Sequence, residues 1–197
     1  MRSFIAIEIP ELVKREISDK TLTLLEKHRP SLRWVPAEKM HLTIKFLGDF
    51  PESKIPLLSQ SLALKCREYP VSEIMVSGVG CFPKMSRPAV IWIGLKMPVS
   101  LNNLQVQIEK AAASFGIPVE KKPFSPHLTI ARVSPNITAD EIKNLTRDII
   151  ELKNQLGDVI LGRFTAGKLT LFKSDLNPSG ALYTTLFEAP LGQFSPV

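Results

Sequence analysis

No apolar stretch in this 197-residue chain approaches the ~18–20 residues needed to cross a bilayer, so no membrane partner is expected. The opening "MRSFIAIEIPE" carries an apolar run too short for a signal peptide and broken by Glu8, which makes the cytoplasm the expected location. Cysteine is scarce: Cys66 and Cys81 form neither a C-x-x-C pair nor a metal-ligand spacing, and are expected to be reduced, inert thiols. There is no block of Lys or Arg. The net charge of +6 comes from scattered residues and leans only weakly towards an anionic partner such as nucleic acid. A P-loop, a G-x-S-x-G elbow and a G-x-G-x-x-G fingerprint are also missing, which removes three common sequence signs of phosphate, ester and dinucleotide chemistry.

What is present is an ordinary globular composition, 44% hydrophobic and 22% charged, enough to bury a core. Histidine occurs three times, and two of the three open the same tetrapeptide, His-Leu-Thr-Ile, at His41 and again at His127. The third, His28, falls in a predicted helix.

The pattern predicts a strand near residues 4–9, closed by Pro10, and a helix from Glu11 to about Lys27. A short extended piece and a turn at Pro36 lead to a strand over 40–47. A second helix over 53–67 precedes strands at 72–80 and 88–95, joined by the Pro/Gly/Ser-rich "GCFPKMSRP". Ser100 is read as the cap of a third helix ending at Gly116. Then come a strand through residue 133 that Pro126 can open, a capping box "TADE" before a fourth helix, and strands over 164–175 and 181–189 joined by the turn "LNPSG". Each HLTI strand is followed by a helix and a strand pair. The predicted fold is therefore α+β and bilobal: two antiparallel-sheet lobes, helices outside, related by a pseudo-two-fold around a central cleft. Residues 1–197 read as a single such domain with one H-x-T-x motif per half, at 41–44 and 127–130.

In a strand, residues i and i+2 share a face. His41 and Thr43 then point together, as do His127 and Thr129, while the leucine and isoleucine turn to the core. Two imidazoles with ordinary pKa near ~6.5 can give and take protons close to neutrality. The threonine hydroxyls can bind non-bridging phosphate oxygens. Such a site can open a phosphodiester without a metal. A lone H-x-T is common and a lone strand histidine is usually structural. The duplicate is the informative part, because LTI after a second given His arises by chance on the order of once in a few thousand. Zinc wants three or four close N, S or O ligands, and neither segment contains Asp, Glu or Cys, so no metal is expected.

Paired H-x-T-x motifs in a duplicated α+β chain resemble the 2H phosphoesterase superfamily, in particular its RNA 2′,3′-cyclic phosphodiesterase branch, also called the 2′–5′ RNA ligase family. The resemblance runs through "RSFIAIEIP", "RWVPAEKMHLTIKFLGD", "GVGCFPKMSRPAVIWIGL", "KPFSPHLTIAR" and "LTLFKSDLNPSGALYTTL", nearly the whole chain. It implies hydrolysis of a 2′,3′-cyclic phosphate at an RNA end to a 2′-phosphate, with no cofactor. His41 would be the proton donor to the leaving 3′ oxygen, His127 the proton acceptor that activates water, and Thr43 and Thr129 phosphate binders. Substrates would be RNA with cyclic ends, tRNA fragments among them, or small cyclic nucleotides, acted on by a monomer.

Three neighbours are further candidates. Lys45 shares the face of His41 and Thr43 in a regular strand. Arg132 alternates away from His127 unless twist or a bulge returns it. Phe124, just before the second motif, is placed to stack on a base. For each, core packing or surface charge is an equal reading. Two other functions remain open: a module that holds a phosphorylated RNA end without turnover, and 2′–5′ joining by the same histidines.

Overall fold

The computed structural model describes residues 1–177 and 180–192. Nine strands and four helices follow in the order β1 (Arg2–Glu8), α1 (Glu11–Leu25), β2 (Leu32–Trp34), β3 (His41–Asp49), α2 (Ile55–Arg67), β4 (Ser72–Lys84), β5 (Arg87–Lys96), α3 (Val99–Ser114), β6 (His127–Val133), α4 (Ala139–Leu156), β7 (Ile160–Ala166), β8 (Lys168–Asn177) and β9 (Gly180–Pro190). Short 3-10 turns precede β2, β3 and α2. Two antiparallel sheets result, ordered β3-β1-β8-β9 and β2-β6-β5-β4-β7. This is the bilobal α+β architecture expected, with one motif strand in each sheet.

The sheets do not follow the chain's halves. The C-terminal hairpin β8–β9 completes the sheet of the first motif, and the middle hairpin β4–β5 forms the body of the sheet of the second. The stretch expected as one strand over 164–175 is two: Gly167 separates β7, in one sheet, from β8, in the other. The Pro/Gly-rich stretch after Gly80 continues as strand to Lys84 and turns at Met85–Ser86. Of the expected turn after β8, Pro178 and Ser179 lie outside the described residues. The α3 cap is Pro98 rather than Ser100.

The capping box of α4 forms as read. Thr138 Oγ1 accepts from the Glu141 backbone N–H at 3.3 Å, and the Glu141 carboxylate accepts from the Thr138 N–H at 2.8 Å. The core faces of the motif strands, Leu42, Ile44, Leu128 and Ile130, are buried with Ile5, Ile7, Ile91 and Ile93. Each motif strand is thus seated on apolar packing, which holds the opposite, polar face in place. Among the described residues no helix is long and apolar enough to cross a membrane.

Candidate active site

His41 opens β3 and lies opposite Glu8 of β1; two residues on, Thr43 lies opposite Ala6. In the other sheet His127 lies opposite Gly94 of β5 and Thr129 opposite Trp92. All four side chains are half-buried on the outward face of their strands, while the residues between them are buried. The strand period alone produces this arrangement.

The next residue breaks the period in both strands. In β3, Thr43 pairs with Ala6 and Lys45 with Ile5, so Ile44 has no partner of its own. In β6, Thr129 pairs with Trp92 and Ala131 with Ile91, so Ile130 is likewise extra. Each is a β-bulge, which advances the strand by one residue and inverts the alternation beyond it. Two expectations change as a result. Arg132 returns to the face of His127 and Thr129. Lys45 leaves the face of His41 and Thr43, which corrects the reading taken from regular alternation.

Lys45 is instead buried, 7% exposed. Its Nζ donates to Glu109 Oε2 of α3 at 2.6 Å and to the Pro118 carbonyl at 2.8 Å. A buried ammonium needs such partners, and here they are fully used on the core side. The residue that takes the outward face after the bulge is Phe46, 66% exposed and paired with Phe4. Phe124 is half-buried and packs against the core beside the approach to β6, so its ring is used at least partly in packing.

The two histidines are held alike. His41 Nδ1 lies 2.8 Å from the Lys39 carbonyl and His127 Nδ1 2.7 Å from the Ser125 carbonyl, each two residues back. A carbonyl only accepts, so each Nδ1 carries the hydrogen and donates it. Nε2 is left as the ring nitrogen able to exchange a proton. Aromatic walls fix the rings. Phe4 stacks on His41 at 4.7 Å between centroids, and Tyr183 meets it edge-on at 5.3 Å. Phe82 meets His127 edge-on at 5.0 Å, with Trp92 at 6.3 Å.

Burial holds His41 below its ordinary pKa; the Lys39 carbonyl raises it, and the charges of Lys14 and His127 lower it further. The two imidazoles thus feel one another across the lobes. Arg132, in one sheet, and Arg2, in the other, both act on Tyr183, whose phenol is pushed up mainly by burial. The motif strands β3 and β6 adjoin, which sets the two polar faces beside one another. His28 stands apart, buried and 2.6 Å from Asp148 of α4. Among the described residues no three His, Cys, Asp or Glu side chains converge as ligands of an ion. The ring of Phe4, Phe82, Trp92 and Tyr183 had not been singled out from the sequence, because its members come from four different strands.

A bilobal phosphoesterase with one H-x-T-x strand per sheet is the class this fold and site define. The family model LigT like Phosphoesterase matches residues 12–92 and again 95–183, one motif in each match, and the chain belongs to that family. The RNA 2′,3′-cyclic phosphodiesterase of Methanocaldococcus jannaschii is 34% identical over 192 residues, covering 95% of this chain and 99% of the relative. The Thermotoga maritima protein of the same name is 32% identical over 188 residues, covering 95% and 94%. The structure of E. coli LigT complexed with 3′-AMP superposes with a TM-score of 0.74 at 26% identity, over 98% of both chains.

Proposed function

We propose that this protein opens the 2′,3′-cyclic phosphate at an RNA end by metal-independent acid–base catalysis, leaving a 2′-phosphomonoester. The observation that carries the reading is the matched pair of imidazoles, each with Nδ1 committed to a carbonyl and a threonine hydroxyl beside it. The names of relatives that span the whole chain support the substrate class.

In the step itself, a water oxygen bonds to phosphorus as His127 Nε2 takes its proton. The P–O3′ bond breaks, and His41 Nε2 gives its proton to O3′. This order of donor and acceptor follows the family resemblance. A lowered pKa makes the His41 imidazolium a stronger acid than an ordinary one and also the less populated form near neutrality. The hydroxyls of Thr43 and Thr129 donate to the non-bridging oxygens, and the Arg132 guanidinium adds positive charge on the same face. A cyclic phosphodiester carries one negative charge, so two hydroxyls, an imidazolium and a guanidinium are adequate compensation. A 5′-hydroxyl in place of water would give a 2′–5′ phosphodiester through the same two histidines.

The test is to incubate an RNA ending in a 2′,3′-cyclic phosphate with the protein and identify the terminus formed. A 2′-phosphate is expected. Tight binding with no turnover would leave a binding module instead.

A further inference from the structure

A groove of about 580 Å³ lies where the β4–β5 turn meets the start of α4, lined by Lys84, Ser86, Arg87, Ala139, Ile142, Lys143 and Thr146. Lys84, Arg87 and Lys143 are exposed and make no ion pair among the described residues, and no acid lines the groove. Asp140 and Glu141, the acids next in sequence to the α4 residues of the lining, are outside it. The groove on the other flank of α4 differs. There Lys27, His28 and Arg147 all reach Asp148, at 3.1, 2.6 and 3.5 Å, and the charges compensate internally. Three exposed cations with no acid among them make this rim positive and attractive to anions.

The hairpin tip that lines the groove follows Phe82, a wall of the active site, along β4. Phe82 touches His127, and Phe82, Val90 and Arg132 are neighbours in one row across the sheet. Lys84 is two residues further along β4 and pairs with Arg87. The tip is anchored rather than loose: Thr146 Oγ1 of α4 donates to the Met85 carbonyl at 3.0 Å. A polymer leaving the catalytic face over Phe82 reaches these cations next.

We propose that Lys84, Arg87 and Lys143 form a phosphodiester-binding subsite that holds the RNA backbone on the 5′ side of the cyclic end. The inference rests on the cyclic phosphodiesterase reading. It adds that the enzyme prefers a polymer end to a mononucleotide, by contacts with phosphate rather than with base.

The test compares a nucleoside 2′,3′-cyclic phosphate with a short oligoribonucleotide carrying the same cyclic end, for the wild type and for K84Q/R87Q/K143Q. For the wild type, KM is expected to be lower for the oligonucleotide. In the variant that advantage is expected to shrink about tenfold. The salt slope of log kcat/KM should flatten by up to about 2, at ~0.7 per phosphate contact on a single strand. The mononucleotide rate should not move, because the three residues lie outside the catalytic constellation. The three sites are exposed, so the substitutions leave the core untouched, and the mononucleotide rate checks the fold. A control, K54Q/R67Q/K110Q, removes the same charge around α2 and α3. An equal loss in the control would mean a general field effect and overturn the subsite. So would an unchanged preference in the variant, or an equal loss on both substrates. If the wild type opens neither substrate, the cyclic phosphodiesterase reading falls, and the subsite with it.

Discussion

The buried pair Lys45–Glu109 gives a sharp test of where the β3 bulge sends its side chains. Lys45→Met removes the cation and keeps a chain of similar length. Glu109 is then left buried with two weaker donors, Gln105 Nε2 at 3.3 Å and the Glu120 backbone N–H at 3.2 Å. Losing one partner of a buried pair costs about 3–5 kcal/mol, and the two surviving donors put the expected loss near the lower end. For a chain of this length, about 3 kcal/mol corresponds to a fall in Tm of roughly 6–12 °C. Lys45→Met with Glu109→Leu removes both charges, and should recover most of the loss, since apolar replacement of a buried pair is often neutral or better. Denaturant unfolding measures stability; hydrolysis of a nucleoside 2′,3′-cyclic phosphate measures the site. The folded single variant should keep kcat/KM within about threefold, because Lys45 does not face the phosphate. Unaltered stability with a loss of about tenfold or more in kcat/KM would return Lys45 to the cleft and refute the bulge argument.

If the proposed mechanism holds, replacing either imidazole, His41→Ala or His127→Ala, should lower kcat by at least ~10²-fold; near wild-type turnover removes that residue from the mechanism. Thr43→Val and Thr129→Val should each lose about 1.5–3 kcal/mol of transition-state stabilisation, read as kcat/KM, if the hydroxyls bind phosphate oxygens. The pH profile should be a bell. Because burial depresses His41, the second proton joins the pair late, and the acidic limb should lie below ~6.5; a limb above that value contradicts the site as described. Dialysis against EDTA should leave activity intact, and activity lost to EDTA and restored by Zn²⁺, Mn²⁺ or Mg²⁺ would displace the two-histidine mechanism. Gly80→Ala would put a methyl group 2.3 Å from the Trp92 ring that flanks His127, so kcat should fall even where the fold survives, and unaltered kcat would show the ring to be dispensable.

Much of this was legible in the sequence where the signal was local. The four helices announce themselves by apolar spacing, and α4 by its capping box. The motif strands follow from alternation, and the histidines from repetition. What was not legible depends on partners distant in the chain. Gly167 and its neighbours carry no mark that β7 joins one sheet and β8 the other. The run Cys81–Lys84 looks like loop because of Pro83 and its flanks, yet pairing with Arg87–Ile91 holds it as strand. The walls around the histidines come from β1, β4, β5 and β9, and only pairing brings them together.

The bulges explain how a duplicated tetrapeptide yields an unsymmetric site. Both strands read HLTI, and both bulge at the isoleucine, so His, Thr and the core residues are equivalent in the two lobes. The inversion then acts on whatever follows. After the first motif it buries Lys45, which α3 must neutralise with Glu109, and turns Phe46 outward. After the second it buries Ala131, which needs no partner, and turns Arg132 outward. One rim of the cleft is therefore apolar and the other cationic. In the proposed mechanism a phosphate between two like histidines would not experience them alike: charge would favour binding beside His127 and Arg132, while burial depresses the proton affinity of His41. Exchanging only the outward residues, Phe46→Arg with Arg132→Phe, would carry the cation to the other lobe and leave the buried Lys45 and Ala131 in place. The exchanged enzyme should keep its fold and lose kcat/KM on cyclic phosphate by about tenfold or more, the scale of one charged contact in a transition state. An exchanged enzyme as active as the wild type would mean that the tetrapeptides alone define the chemistry, and that the asymmetry following them is incidental.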